Sequence, residues 1–178
     1  RPVPNAYSAD WYEIFMDSVP AEFTHAEISF IERHLPQEEF PSLLDVCCGP
    51  GRHASLLADR GYAILGVDQN ADAVRAAHAS CPGAQFEVCD MRRLSSLDRT
   101  FDGVLNLWHS FGYFDDRTNA DVLRQVRGLL RPGGRAVIDI YNRDHMLRLP
   151  EEESSERGGR RIRTRRSWNG PRHRVSTL

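Results

Sequence analysis

With 178 residues, 40% of them apolar, and 25 acids against 23 basic side chains, the chain is long enough for one domain with a buried core. No apolar run reaches the length of a bilayer span and no secretion-signal pattern is present, so a cytoplasmic location without a membrane partner is expected. The net charge of −2 is unevenly spread: all 25 acids lie at or before Glu156 beside 15 Arg, whereas residues 157–178 carry eight Arg and no acid. The body of the chain is therefore no nucleic-acid surface, and only the tail has the charge for one. All basic side chains are Arg, a bias of composition rather than of mechanism.

The chain opens at Arg1 rather than at a methionine and is expected to begin inside a longer sequence. Ser8 caps a short predicted helix to Asp17, with apolar positions at 11, 12, 14, 15 and 16. A second helix is predicted over 21–35, carrying Phe23, Ile28, Phe30, Ile31 and Leu35, and stopped by Pro36. Residues 1–36 thus form a helical cap ahead of a core expected over 37–149.

That core opens on LLDVCCGPGRHASLLADRGYAILGVD, residues 43–68. A short apolar run turns at Gly49-Pro50-Gly51, a helix follows with Gly61 just past its end, and a second apolar run stops at Asp68. This is strand, glycine turn, helix, strand and acid. Glycines at 49 and 51 let the backbone approach a bound molecule, and the helix aims free N–H groups over the turn. Asp68 is placed to accept from ribose hydroxyls. Gly49 to Ala54 also satisfies the dinucleotide pattern G-x-G-x-x-A, so an NAD(P)-binding oxidoreductase stays open here.

Further along, a helix is predicted over 70–80, capped by Asn70, then a third strand over 84–89 that delivers Asp90-Met91, an acid and an apolar residue suited to an adenine edge and face. A fourth strand is predicted over 101–108 and a helix within 115–130. A fifth strand, over 135–140, reads as covered on both faces. Alternating strands and helices imply an α/β fold with a doubly wound, mainly parallel sheet. Asp45, four residues before Gly49, is unneeded beside an anionic pyrophosphate but suits a ligand carrying an ammonium and a sulfonium. Four cysteines, at 47, 48, 81 and 89, lack zinc spacing, so no metal is expected and buried reduced thiols are.

DVCCGPGR, GVD, CDMRRL, FDGVLNLWHSFGYF and LLRPGG, in that order, resemble the successive motifs of the class I S-adenosylmethionine-dependent methyltransferases. The likeness covers roughly residues 43–142 and is nearest to the small-molecule, sugar-amine and glycine–sarcosine N-methyltransferases. It implies a Rossmann-like fold, S-adenosyl-L-methionine as cofactor, and a small-molecule methyl acceptor at an N or O atom. It places Asp45, Cys47, Gly49 and Gly51 at the methionine part, Asp68 and Gln69 at the ribose, Asp90 and Met91 at the adenine, and Asn106 and Leu107 beside the cofactor. Arg52 stands where many members carry a third glycine, and no role is assigned to it. The acceptor is expected at the end of the fourth strand. There His109 and Tyr113 are candidate catalytic residues, and Phe111, Tyr12 and Tyr141 candidate substrate contacts; Tyr141-Asn142 is expected to close the fifth strand at the same edge. Tyr7, Trp11 and Tyr12 either line the pocket or pack on the sheet. Asn106-Leu107-Trp108 departs from the motif that holds planar ring amines in DNA methyltransferases, which favours an aliphatic amine or a hydroxyl.

Residues 150–159 read as a charged loop, and 160–168 with 172–178 as an Arg-rich hairpin around Asn169-Gly170. The hairpin is either an edge kept soluble by charge or a lid for an anionic substrate, and an RNA methyltransferase using this tail is a further alternative. A homodimer stays open. In the resembled family a helix and two more strands follow, so the last strands are expected to be missing from this chain.

Overall fold

The structure, a computed structural model, describes residues 19–157, 159–168 and 175–177. The expected helix over 8–17, with Tyr7, Trp11 and Tyr12, and the Asn169-Gly170 turn lie outside the described residues. Two compact units emerge, one over Pro20–Ile140 and one from Tyr141 onward.

The first unit contains helix α1 (Ala21–His34), β1 (Ser42–Val46), α2 (Arg52–Asp59), β2 (Ala63–Asp68), α3 (Ala71–Ser80), β3 (Gln85–Val88), a 3₁₀ segment (Met91–Leu97), β4 (Phe101–Asn106), α4 (Asp116–Leu129) and β5 (Leu130–Ile138). Its five strands pair in parallel in the order β3-β2-β1-β4-β5. This is the expected Rossmann-like, doubly wound sheet.

Side-chain alternation along the central strands builds a core on each face. Leu43 and Leu105 point to one side, where Ile28, Ile31 and Leu35, Leu57 from α2, and Val74 and Ala77 from α3 cover them. Leu44, Val46, Val67 and Val104 point to the other, against Leu94 and Leu97 of the 3₁₀ segment and Val122, Val126 and Leu129 of α4. Each such fully buried aliphatic side chain contributes roughly 1.5–3 kcal/mol. In α1 the apolar stripe is selective: Ile28 and Ile31, with Leu35 at the C-cap, are buried, while Phe23 and Phe30 are exposed. Asn70 caps α3 as expected, its Oδ1 accepting from the backbone N–H groups of Asp72 and Ala73.

β5 differs from its expected form. It starts at Leu130, five residues early, and an irregular register between Phe101 and Gly103 absorbs the Arg131–Gly134 stretch. A Cβ on Gly134 would lie 2.9 Å from the carbonyl oxygens of both Arg131 and Asp102, so the bulge folds too tightly for any other residue. The strand is an edge of the sheet, half-buried to exposed along its length, rather than covered on both faces.

In the second unit a short helix α5 (Arg143–Met146) precedes strands β6 (Glu152–Arg157), β7 (Arg160–Trp168) and β8 (Val175–Thr177), paired antiparallel in that order. The stretch expected as a loop before Gly159 is thus mostly strand. Its cause is charge complementarity: Glu152 and Glu156 stand opposite Arg165 and Arg161, and Arg165 and Arg166 form ion pairs with Glu152 and Glu153 at 2.9 and 2.7 Å. In sequence the signal for this pairing is Gly158-Gly159, a glycine pair of the kind that joins antiparallel strands. On the other side β7 pairs with β8 through Arg166 with Thr177, Ser167 with Ser176 and Trp168 with Val175.

Candidate active site at the carboxyl edge of the sheet

The strand order reverses between β1 and β4, and in open α/β sheets the crevice beyond the carboxyl ends at that point is where ligands bind. Most of the expected site residues stand along this edge. Asp45 lies on β1, Asp68 ends β2, Asp90 and Met91 follow β3, and Asn106 ends β4 with Leu107 next.

Asp45 is 2% exposed, and its Oδ2 has no hydrogen-bond partner among the described residues. Burial pushes its carboxyl up to about 6; the nearby His53 and Arg52 pull it down, and Asp68 adds to the rise. At the end of β4, Asn106 donates through Nδ2 to the Val46 carbonyl at 3.1 Å, tying β4 to β1, while its Oδ1 is likewise buried without a partner among the described residues. Two acceptor oxygens on neighbouring strand ends are therefore idle. Buried polar groups are normally satisfied, so each of these oxygens, on adjoining strand ends, is a place for a donor from a ligand.

The turn after β1 is held by Asp68. Its Oδ2 accepts from the backbone N–H of Gly49 at 2.9 Å and its Oδ1 from that of Asn70 at 2.8 Å. Burial raises its pKa, and these backbone N–H groups, with that of Gln69, oppose the rise. Cys47, Gly49 and Gly51 all adopt the left-handed backbone. The reason for glycine at 51 lies inside the protein: a Cβ there would meet the Phe86 ring at 2.9 Å and Ala77 at 3.1 Å. Cys47 and Cys48 are both pushed well above the ordinary thiol range by burial, which leaves them inert packing groups.

Gln69 and Asp90 line one cleft of about 710 Å³ with Val88, Cys89, Arg92, Arg93 and Ser96. Asp90 caps the 3₁₀ segment by accepting from the Arg92 backbone N–H at 2.9 Å, and both of its oxygens also take the Arg92 Nε–H at 3.0 Å. The Arg92 side chain holds its carboxyl below the usual range. Met91 is buried in the core cluster under the sheet edge.

Beyond β4, Trp108 and His109 both adopt the left-handed conformation, rare for such side chains and strained unless the surroundings hold it. Asp139, just after β5, supplies the hold. Its Oδ2 accepts from the Trp108 backbone N–H at 3.1 Å and lies 3.6 Å from His109 Nδ1, and its own N–H donates to the Asn106 carbonyl at 2.9 Å. Phe111 is half-buried against the core, and Tyr113 is 39% exposed. Tyr141 is not part of β5, which ends at Ile138; it belongs to the second unit, where Asn142 caps α5 by accepting from the His145 N–H at 3.0 Å. Tyr12 lies outside the described residues.

One constellation was not anticipated. Glu27, on α1, gathers three partners from distant parts of the chain: Arg52 Nη1 donates to Oε2 at 3.2 Å, His53 Nε2 lies 2.8 Å from Oε2, and Trp108 Nε1 donates to Oε1 at 2.9 Å. Burial alone would raise the Glu27 carboxyl, but His53, Arg52 and the indole N–H outweigh it and hold it below its ordinary value. The Arg52 guanidinium also donates to Thr24 Oγ1 and lies over the Trp108 ring, 4.5 Å from its centroid. The sequence carries a faint signal for this: an acid in mid-helix on the stripe between buried Thr24 and Ile31.

No helix among the described residues is long and apolar enough to cross a membrane. A family profile described as a methyltransferase domain matches residues 43–134, just over half of the chain. A sugar N,N-dimethyltransferase of Streptomyces fradiae, acting on dTDP-3-amino-3,6-dideoxy-alpha-D-glucopyranose, is 32% identical over 114 residues, covering 64% of this chain and 44% of that protein. Glycine N-methyltransferase of Mus musculus is 27% identical over 122 residues, 59% of this chain and 42% of that one. The chain thus spans less than half the length of these relatives. Among solved structures, the sugar N-methyltransferase KedS8 from Streptoalloteichus sp. ATCC 53650 superposes with a TM-score of 0.74 at 24% identity, over 96% of this chain and 71% of that one, a likeness of fold.

Proposed function

Given that the chain belongs to the class I S-adenosylmethionine-dependent methyltransferases, we propose that it transfers a methyl group to an N or O acceptor of a small molecule, with an amine favoured. The relatives named above act on an amino sugar and on glycine, which supports an aliphatic amine. The observation that carries the reading is the pair of idle buried acceptors, Asp45 Oδ2 and Asn106 Oδ1, at the crevice. An α-ammonium offers three N–H donors and the charge that a buried carboxylate lacks. A pyrophosphate offers neither, which argues against a dinucleotide.

In this reading Asp68 and Gln69 take the ribose and Asp90 with Met91 the adenine, while the Cys47–Gly51 turn and Leu107 shape the wall around them. When bound, S-adenosylmethionine supplies a methyl carbon activated by its sulfonium. The protein's part is mainly orientation, since positioning alone is worth up to ~7–11 kcal/mol in well-aligned displacements. An acceptor nitrogen that is methylated would give up a proton, so a base at that end of the site would have to take it. His109 and Tyr113 are the candidate proton acceptors at that end, with His109 Nδ1 facing Asp139. Four free cysteines suit a reducing cytoplasm.

Isothermal calorimetry with S-adenosylhomocysteine tests the proposal. Saturable binding at a ratio near one ligand per chain is expected, and silence at millimolar ligand would refute it.

A further inference from the structure

We propose that the outward flank of α1 is a self-association surface, on which a second copy of this chain docks through its own α1, antiparallel and across a two-fold axis.

The helix buries one stripe and leaves a second apolar stripe to water. Thr24, Ile28 and Ile31 turn inward to the core. Phe23 and Phe30 stand seven residues apart, two turns along one line on a different flank, and are 62% and 49% exposed. Ala26, also exposed, lies between them, and the His34 ring sits 4.3 Å from the Phe30 ring. A single exposed apolar side chain is ordinary, whereas two phenyl rings in line with a small residue between them make a continuous stripe. On the other helices of this unit, among the described residues, Leu123 is the one comparable case.

The stripe has the pattern of a helix-pairing seam. Positions 23, 26, 30 and 33 follow the alternating three- and four-residue step that keeps a row of side chains facing a second helix. Its ends carry opposite charge, with Glu22 in the first turn and Arg33 and His34 in the last. Neither Glu22 nor Arg33 makes an ion pair among the described residues. The exposed faces of α3 and α4 differ, since Asp72 there pairs with Arg75 and Asp121 with Arg124.

That layout selects the occupant. An identical helix laid antiparallel, with the axis beside Ile28, sets Ala26 of one copy opposite Phe30 of the other, small against large, and does so twice. The same step brings the Glu22 end of each helix to the Arg33 end of its mate. A parallel pairing would join like charges instead. A helix of 14 residues is about 21 Å long and roughly 10 Å across, so the face falls short of the ~800 Å² per partner of a standard interface, and the dimer is one that dissociates on dilution.

Sedimentation equilibrium on the full chain is the test. The mass should climb from that of one chain at about 1 µM toward twice that at about 300 µM, the range suited to a contact of this size. Phe30→Glu should keep the chain monomeric throughout, with the helix content of the wild type by circular dichroism. Glu22→Arg and Arg33→Glu should each weaken the dimer by roughly 3- to 10-fold, because like charges then meet, and the variant carrying both should recover most of that loss. A wild-type chain that stays monomeric at every concentration would overturn the inference and leave the face to a different protein. Assembly beyond two copies would overturn it too, because a two-fold contact closes at the dimer. So would a Phe30→Glu protein that still dimerises, which puts the contact elsewhere, or a double variant no stronger than the single ones, which rules out the antiparallel pairing.

Discussion

Asp68 Oδ2 accepts the backbone N–H of Gly49 at 2.9 Å, so the acid that ends β2 also closes the turn that leaves β1. The residue read as a ribose contact is therefore a structural strut, and its removal acts twice. Asp68→Ala is expected to destabilise the ligand-free protein by about 1–3 kcal/mol, since buried N–H groups lose their acceptor. Affinity for S-adenosylhomocysteine should fall as well. Urea unfolding without ligand measures the first effect and calorimetry the second; unaltered affinity would remove Asp68 from the ribose role.

Asp45 predicts a pH dependence with a definite sign. Burial holds its folded pKa at about 6, above the ordinary carboxylate value, so the folded state resists ionising it and ligand-free stability declines as pH rises through about 6. Asp45→Asn should abolish that contribution and stabilise the empty protein by roughly 2–3 kcal/mol at pH 8. Cofactor affinity should move the opposite way: in the wild type it should rise across the same interval as the carboxylate forms, and in the variant it should be weaker and flat. Thermal melts and calorimetry at pH 5 and 8 decide.

Gly66 is confined by packing. A methyl group there would sit 2.6 Å from Phe86 Cδ1 and 2.9 Å from Cys48 Sγ, beneath the glycine turn. Gly66→Ala is expected to cost about 1–3 kcal/mol, the usual penalty for overfilling a packed core. Phe86→Leu should relieve part of it, so the double variant should be more stable than the sum of the single effects implies. Additive losses in denaturant titrations would show that the clash is absorbed elsewhere.

Asp139 holds two strained residues in place. Asp139→Ala removes the acceptor for the Trp108 N–H and the charge beside His109. A stability loss of about 1–3 kcal/mol is expected. S-adenosylhomocysteine affinity should stay close to wild type, because Asp139 serves the loop where the acceptor is proposed to enter. A variant as stable as the wild type would mean that packing alone maintains the left-handed pair.

Much of this was legible in the sequence because the central strands and their helices obey local rules. Apolar strands, Gly49, Gly51, Gly61 and the Asn70 cap each declare themselves within a few residues, and so the order of β1, α2, β2 and α3 could be written down directly. What could not be read depends on who faces whom. Glu152 and Arg165 look like loop and tail until their register sets them opposite each other. The exposure of β5 follows from its place at the sheet edge, which its own alternation does not reveal. Gly51 reads as a ligand-facing glycine, yet its Cα faces Phe86, a residue 35 positions away whose direction only the tertiary structure supplies. Arg52 and Glu27 are individually unremarkable surface types, and their pairing appears only once the fold brings them together with Trp108.

The bond from Trp108 Nε1 to Glu27 also bears on how the chain acquires its shape. It joins residues 81 positions apart, so during synthesis α1 emerges well before the indole that its carboxylate must accept from. Until the residues after β4 have been made, Glu27 Oε1 lacks its indole donor, and the closure of so long a loop belongs late in folding. A Trp108→Phe substitution should accordingly accelerate unfolding far more than it slows refolding.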